Sequence, residues 1–411
     1  MKIISGGITA SKGFLVNGLY CGIKKPKFKK EKHKNDIAIL YCKEDCKTAA
    51  VYTQNKVKGA PIIVTKSNLQ KTNNISHAII VNSKNANTCN ADGVEKAEKM
   101  CELAAKELKI KKEEVIVAST GVIGLTLPIE PIENCMHTLA TEISADKNEE
   151  FATAIMTTDT IKKEYAVEFE IDGKICHIGG CAKGSGMIHP NMATTLNFIT
   201  TDINITNDML QKALSEIVKI TYNCLTIDGD TSTNDMVCLM ANGLSKNKEI
   251  SEENTDYEIF KSALYEVMMN LTKMLAKDGE GATKMIECTC NNAKDLDTAI
   301  TVAKEVVGST LFKCAIFGKD ANWGRILCSV GYADAEFDIE KVDVDIKSKF
   351  GKVSVCKNGS GIPFSEEEAF KILESDEIYI DIDLKDGKTN AKAWGCDLTY
   401  DYVKINGSYR T

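Results

Sequence analysis

"KGSGMIHPNMATTLNFITTD", residues 183–202, opens on a Lys-Gly-Ser-Gly run too flexible for a helix. It closes on a threonine-rich run too apolar for an exposed loop. One chemistry joins the two halves. A hydroxyl is a weak nucleophile at neutral pH and needs a base beside it. If its residue becomes the first of a new chain, the freed α-amine, with a reference pKa of about 8, supplies that base. To get there, the hydroxyl attacks the preceding carbonyl through a five-membered ring, and the ester so formed is hydrolysed. Such a cut needs a small preceding residue and a constrained turn. Ala193 leaves the carbonyl open, Pro190 fixes φ, and β-branching holds Thr194 stiff at χ1. A buried strand carrying threonines accounts for the same letters, and composition does not choose between Thr194 and Thr195.

The whole chain has 411 residues, enough for two or three domains with a large core. Its hydrophobic fraction of 43% and charged fraction of 27% are those of an ordinary globular protein. The N-terminal stretch carries no long apolar segment and no later run approaches a membrane span, so a soluble, cytoplasmic protein is expected. A net charge of −7 argues against nucleic acid as a partner. The basic run "KKPKFKKEKHK" at 24–34 reads as a solvated loop, since only Phe28 could stack on a base. The 16 cysteines include no C-x-x-C, and the five histidines form no H-E-x-x-H. Cys176, His177 and Cys181 come nearest to a cluster, but no metal is expected. The thiols read as small core residues kept reduced.

Short β-rich runs alternate with amphipathic helical stretches, which predicts a mixed α/β fold. A strand is expected at 77–81, a helix through "VEKAEKMCELAAKELKI" and a strand through "EEVIVAST". In "YEIFKSALYEVMMNLTKMLAKDGEG" the residues Ile259, Ala263, Val267, Leu271 and Met274 share one helical face, with Gly279 as the stop. From about 285 the pattern changes to a smaller α/β unit. There "TKMIECTC" and "FKCAIFG" read as strands, "LDTAITVAKEVVGS" and "SEEEAFKILES" as helices. The segment "EIYIDIDLKDGKTNAKAWGCDL" reads as a strand pair turning at Asp386-Gly387. We therefore expect a larger domain at 1–285 carrying the nucleophile and a smaller one at 286–411.

Polar, glycine-containing segments at strand ends are the places for chemistry. They include 118–124, 156–160, 227–235, 277–284 and the terminal "INGSYRT". A phosphate loop does not fit: in "GGCAKGSG" the order differs from G-x-x-x-x-G-K-[ST], and the dinucleotide spacing is missing. A serine-histidine hydrolase does not fit either, because no G-x-S-x-G precedes a helix and only His189 lies in the stretch.

Nine segments in order carry a resemblance: "AAVYTQNKVKGAPI", "NSKNANTCNADG", "STGVIG", "AIMTTDT", "KGSGMIHPNMATTLNFITTD", "DGDTSTND", "DGEGATK", "GKDANWGRI" and "YVKINGSYRT". Together they resemble the ornithine acetyltransferase (glutamate N-acetyltransferase) family of arginine biosynthesis over nearly the whole chain. The resemblance implies an αββα sandwich with a smaller C-terminal α/β domain. It also implies self-cleavage between Ala193 and Thr194 into chains 1–193 and 194–411, associated as two of each. Thr194 would carry acetyl from N-acetylornithine to glutamate by a ping-pong route. Thr120 and Gly121 match the family's oxyanion-hole pair. Thr157 (or Thr158), Lys183, Glu280, Asn406 and Thr411 match, with Thr194, its substrate-binding positions. Lys183 suits an α-carboxylate and Glu280 the ammonium of ornithine. No cofactor is implied, acetyl-CoA entering only as an alternative donor. Two departures stand out: Thr195 replaces a common methionine, and the tail reads Asn-Gly-Ser-Tyr-Arg-Thr where Asn-Ala-Asp-Tyr-Arg-Thr is common. The competing readings are an N-terminal-threonine amidohydrolase or aminopeptidase, and a non-catalytic amino-acid-binding protein.

Overall fold

The computed structural model describes residues 1–24, 33–189 and 195–408. The chain divides into two compact units. The first comprises residues 1–184, 191–218 and 231–271, and the second 185–190, 219–230 and 272–411. The fold is mixed α/β, with one sheet in each unit.

The first unit is built on nine strands: β1 (Lys2–Ile4), β2 (Phe14–Leu19), β3 (Ile37–Tyr52), β4 (Ile75–Asn82), β5 (Val115–Ser119), β6 (Lys163–Ile171), β7 (Lys174–Lys183), β8 (Leu196–Thr201) and β9 (Met236–Ala241). Their order is β1-β6-β7-β8-β9-β3-β4-β5, with β2 beside β3. The pairs β8·β9 and β4·β5 are parallel; the others are antiparallel. Strand alternation sorts the apolar residues into two cores. Ile37, Ile39, Ala78, Ile80, Val115 and Val117 face the helices Ala60–Lys71, Gly93–Leu108 and Glu130–Thr141. Their neighbours Ala38, Leu40, Ile79, Val81, Ile116 and Ala118 point the other way. They share a core with Leu196 and Phe198 of β8 and with Met236, Cys238 and Met240 of β9. Strands on both sides of β3 in the sheet order thus line one shared interior. Each aliphatic side chain so enclosed contributes roughly 1.5–3 kcal/mol.

The opening stretch answers to this frame. Strand β7 ends at Lys183, and β8 begins at Leu196, and these two residues pair across an antiparallel ladder. The chain leaves the sheet after Lys183 and rejoins it beside the point of departure. Residues 196–201 are the buried threonine-bearing strand that the apolar half suggests.

The second unit holds β10 (Met285–Ala293), β11 (Asp343–Ser348), β12 (Gly351–Lys357), β13 (Ser360–Gly361), β14 (Glu377–Asp383) and β15 (Thr389–Cys396). Two expectations are overturned here. "FKCAIFG" is not a strand: residues Thr310–Phe317 form a helix, capped by Ser309, whose Oγ accepts the Phe312 N–H. Phe312, Ala315 and Ile316 are buried at helical spacing, which a seven-residue apolar window could not separate from a strand. The segment around Asp386-Gly387 does not close a hairpin. Strand β10 lies between β14 and β15, parallel to the first and antiparallel to the second. The Asp386 N–H donates to Asn292 O at 2.8 Å, and a Cβ on Gly387 would meet Ala293 O at 2.2 Å. The loop therefore crosses the end of β10, and the two strands never touch. The helix Thr255–Lys277 forms as expected and buries Ala263, Val267 and Leu271, but its apolar face is wider and leaves Ile259 and Met274 only half-buried.

Candidate active site

In the first unit, Thr120 and Gly121 follow directly on β5. The Thr120 N–H donates to Asn82 O at 3.0 Å. A web of buried amides supports them: Ser119 Oγ donates to Asn82 Oδ1, and Asn82 Nδ2 to Asn85 O. Asn234 Nδ2 donates to both Ala86 O and Ser119 O. The asparagines of "NSKNANTCN" and "STND" are thus scaffolding for the 119–122 turn. Gly121 has φ 133°, and a Cβ there would lie 2.1 Å from the Lys84 carbonyl carbon. Only glycine permits this approach.

Lys183, buried at the end of β7, donates from Nζ to Thr120 Oγ1 at 3.2 Å. Beneath it lies Asp159, which the sequence reading did not single out. Asp159 Oδ1 accepts from Lys163 Nζ at 2.7 Å and from the Gly184 N–H at 2.6 Å, and Oδ2 accepts the Thr157 N–H at 3.0 Å. Burial alone would raise this carboxyl. The adjacent Lys183 and Lys163 outweigh burial and hold it well below the usual carboxylate range. Lys24 joins the group, donating to Met156 O at 2.8 Å; burial lowers its ammonium to about 8. Thr157 is half-buried in this turn, with Thr158 next to it in sequence. The cluster brings Thr120, Lys183 and Asp159 together and is rich in ammonium groups, a setting suited to a carboxylate ligand.

Thr195 and Asp235 form the adjoining feature. The Thr195 N–H donates to Asp235 Oδ1 at 2.7 Å. Burial raises the Asp235 carboxyl to about 7, only partly offset by the Thr195 N–H, Ser232 and Lys183. Asp235 closes the "DGDTSTND" segment, a glycine-containing loop marked for chemistry as a whole, but nothing in its letters separates this acid from Asp228 and Asp230.

In the second unit, Glu280 is buried, and its N–H donates to Ser185 O at 2.8 Å. Asn406 Nδ2 donates to Glu280 Oε2 at 2.7 Å, from a helix at Tyr400–Gly407. Gly186 admits the carboxylate: a Cβ there would meet Glu280 Oε2 at 2.4 Å. Asp228 accepts the Met187 and Ile188 N–H groups and the Tyr402 hydroxyl. Burial lowers the His189 imidazole to about 4, and Nδ1 is 2.9 Å from Thr226 Oγ1, so it is a neutral wall residue at neutral pH.

Ala193, Thr194 and Thr411 lie outside the described residues, as does Pro190. Cys176 and Cys181 are five residues apart on β7 and point to opposite faces, and His177 pairs with Asp202 at 2.8 Å. Among the described residues no group of three or more His, Cys, Asp or Glu is arranged to hold a metal ion. No helix among them is long and apolar enough to cross a membrane.

The sequence pattern of the ArgJ family matches residues 15–411. The chain is 51% identical over 413 residues to the arginine biosynthesis bifunctional protein ArgJ 1 of Clostridium acetobutylicum, covering 100% of this chain and 99% of that protein. It is 46% identical over 412 residues to the ArgJ protein of Caldanaerobacter subterraneus subsp. tengcongensis, covering 100% of each. The crystal structure of the arginine biosynthesis bifunctional protein argJ from Bacillus halodurans matches with a TM-score of 0.50 at 47% identity, over 53% of this chain and 100% of that one. With a family match across nearly its full length, and relatives this similar from end to end, the chain belongs to the ArgJ family.

Proposed function

We propose that this chain transfers acetyl from N-acetylornithine to glutamate through an acetyl ester on Thr194. Membership of the ArgJ family across residues 15–411 is the observation that carries the reading. In the scheme, Thr194 Oγ attacks the acetyl carbonyl carbon and its proton passes to the α-amine freed by self-cleavage. The oxyanion is met by Thr120 and Gly121. The C–N bond then breaks, the proton returns to the leaving nitrogen, and ornithine departs. Glutamate's amine attacks the ester carbonyl, Thr194 Oγ leaves and is reprotonated, and N-acetylglutamate is released. The acetyl group travels on the enzyme, so the scheme calls for no cofactor. Lys183 holds substrate carboxylate and Glu280 substrate ammonium, with Thr157, Asn406 and Thr411 as further contacts.

Self-cleavage after Ala193 would give chains 1–193 and 194–411. Residues from both sides of that bond pair in the ladders β7·β8 and β3·β9, which supports halves that stay associated. We place two copies of each in the working enzyme, and the enzyme in the cytoplasm.

Mass spectrometry tests the reading. After incubation with N-acetylornithine alone, the fragment beginning Thr-Thr-Leu-Asn-Phe should gain one acetyl group. Free acetate released equally fast without glutamate would favour the amidohydrolase. The relatives are named bifunctional proteins, and acetyl-CoA is the alternative donor to set against an enzyme that takes acetyl from N-acetylornithine alone. Turnover of acetyl-CoA with glutamate at a rate comparable to the ornithine reaction would establish the alternative donor.

A further inference from the structure

Thr195 sits at φ 71°, in the left-handed region that β-branched residues avoid. Three hydrogen bonds hold it there. Its N–H donates to Asp235 Oδ1 at 2.7 Å, its Oγ1 accepts from Asn197 Nδ2 at 2.6 Å, and its carbonyl accepts the Met236 N–H at 2.9 Å. All four residues are buried, and Asp235 is only 2% exposed. The adjoining backbone is fixed as well, since the Asp235 carbonyl accepts the Thr53 N–H at 3.0 Å. Strain of this kind persists only where the surroundings over-determine it, and it concentrates at working sites.

The amide nitrogen of Thr195 is joined covalently to the carbonyl carbon of residue 194. Whatever fixes that amide limits the directions in which residue 194 can present its hydroxyl. We propose that Asp235 is a positioning residue for the nucleophile: by accepting the Thr195 N–H it locks the left-handed turn that aims residue 194, in self-cleavage and in acetyl transfer alike. This rests on Thr194 being the nucleophile. Misplacement by about 1 Å can cost on the order of 10²-fold in rate, so the clamp has kinetic consequences without touching substrate. Burial raises the Asp235 carboxyl to about 7, so protonated and ionised forms are both well populated at neutral pH. A neutral carboxyl still accepts through its carbonyl oxygen, so an amide of the same shape should serve in its place.

The test compares full-length wild type, Asp235→Asn and Asp235→Ala. Time courses of self-cleavage are read by intact mass, and steady-state transfer from N-acetylornithine to glutamate by amino-acid analysis. Asp235→Ala should cleave and turn over at least about tenfold more slowly, with KM within about twofold, because aim rather than binding is lost. Asp235→Asn should stay within about threefold of wild type, a rescue that a general loss of structure would not give. In wild type, hydrogen exchange should find the Thr195 amide slow. Rapid exchange there overturns the clamp even if Asp235→Ala proves insoluble. Wild-type rates in Asp235→Ala, with the wild-type fragment starting at Thr194, overturn the clamp and leave the function standing. Asn as slow as Ala overturns positioning in favour of proton transfer. A wild-type protein that is not cut before Thr194 removes the function reading itself, and the clamp with it.

Discussion

Lys183 Nζ donates to Thr120 Oγ1 at 3.2 Å, so the Thr120 hydroxyl accepts from an ammonium while its own proton remains to be donated. A hydroxyl polarised in this way is suited to meeting developing negative charge. Thr120→Ala should lower kcat by about 10²–10³, the usual loss for one oxyanion donor, with little change in KM. Thr120→Ser should keep most of the rate. Steady-state kinetics decides, and unchanged turnover in Thr120→Ala would remove Thr120 from the site.

The same turn sets a prediction for its glycine. Gly121→Ala places a Cβ 2.1 Å from the Lys84 carbonyl carbon, at a φ of 133°. Neither the backbone contact nor the dihedral can relax cheaply, so a loss of at least about 1–3 kcal/mol is expected in urea unfolding. A variant as stable as wild type would mean that the 84–85 and 120–122 segments are not packed as described.

Asp159 and Lys163 form an ion pair in which neither side chain is exposed. Removing one partner of a buried ion pair costs about 3–5 kcal/mol. Asp159→Ala should therefore be strongly destabilised. Asp159→Asn, which can still accept the Gly184 and Thr157 N–H groups, should lose less. Equal stability of both variants and wild type would show that the pair is solvated in solution.

The period-2 and period-3.6 patterns made most elements legible, because burial on one face writes the period directly into the letters. Strands β4 and β5 and the helix Gly93–Leu108 are of this kind. What failed was pairing across sequence distance. Strands β14 and β15 are joined by a short loop with good hairpin residues, but β10, nearly a hundred positions earlier, lies between them. No local signal records which strand fills a gap in a sheet. The site divided in the same way. Lys183 and Thr120 came from motif resemblance, whereas Asp159 and Asp235 emerge only as the partners these groups have once folded.

Asp235 also makes a prediction for pH. Burial lifts its carboxyl from 3.8 to about 7, so the folded protein holds this proton more tightly than the unfolded chain does. The stability contributed is fully present below about pH 4 and is lost as pH rises through 7. A shift of that size corresponds to on the order of 4 kcal/mol at full extent. Asp235→Asn has no such proton, so the wild-type minus Asp235→Asn difference in unfolding free energy should fall between pH 4 and 8. A flat difference would show an ordinary surface-like carboxylate.

Strands β7 and β8 flank the proposed cut, and their ladder runs from Lys183↔Leu196 to Ile178↔Thr201. Strand β3 adds a second tie, pairing with β9 from Lys47↔Ala241 to Tyr52↔Met236. Breaking one peptide bond between residues 193 and 194 removes none of these hydrogen bonds, and the two halves also share the core that holds Leu40, Phe151, Phe198 and Met240. The cut protein should therefore run as one species in native size exclusion and separate into two bands only under denaturing conditions. Thr194→Ala has no hydroxyl for the acyl shift, so it should stay a single 411-residue chain on both and be inactive. Thr194→Ser keeps the hydroxyl but loses the methyl that restricts χ1, so it should cleave more slowly and retain part of the transfer. Thr195→Ala should still cut after Ala193, because the nucleophile is untouched. A fragment beginning at Thr195 would move the nucleophile by one residue, and an active, uncut Thr194→Ala protein would end the self-cleaving mechanism.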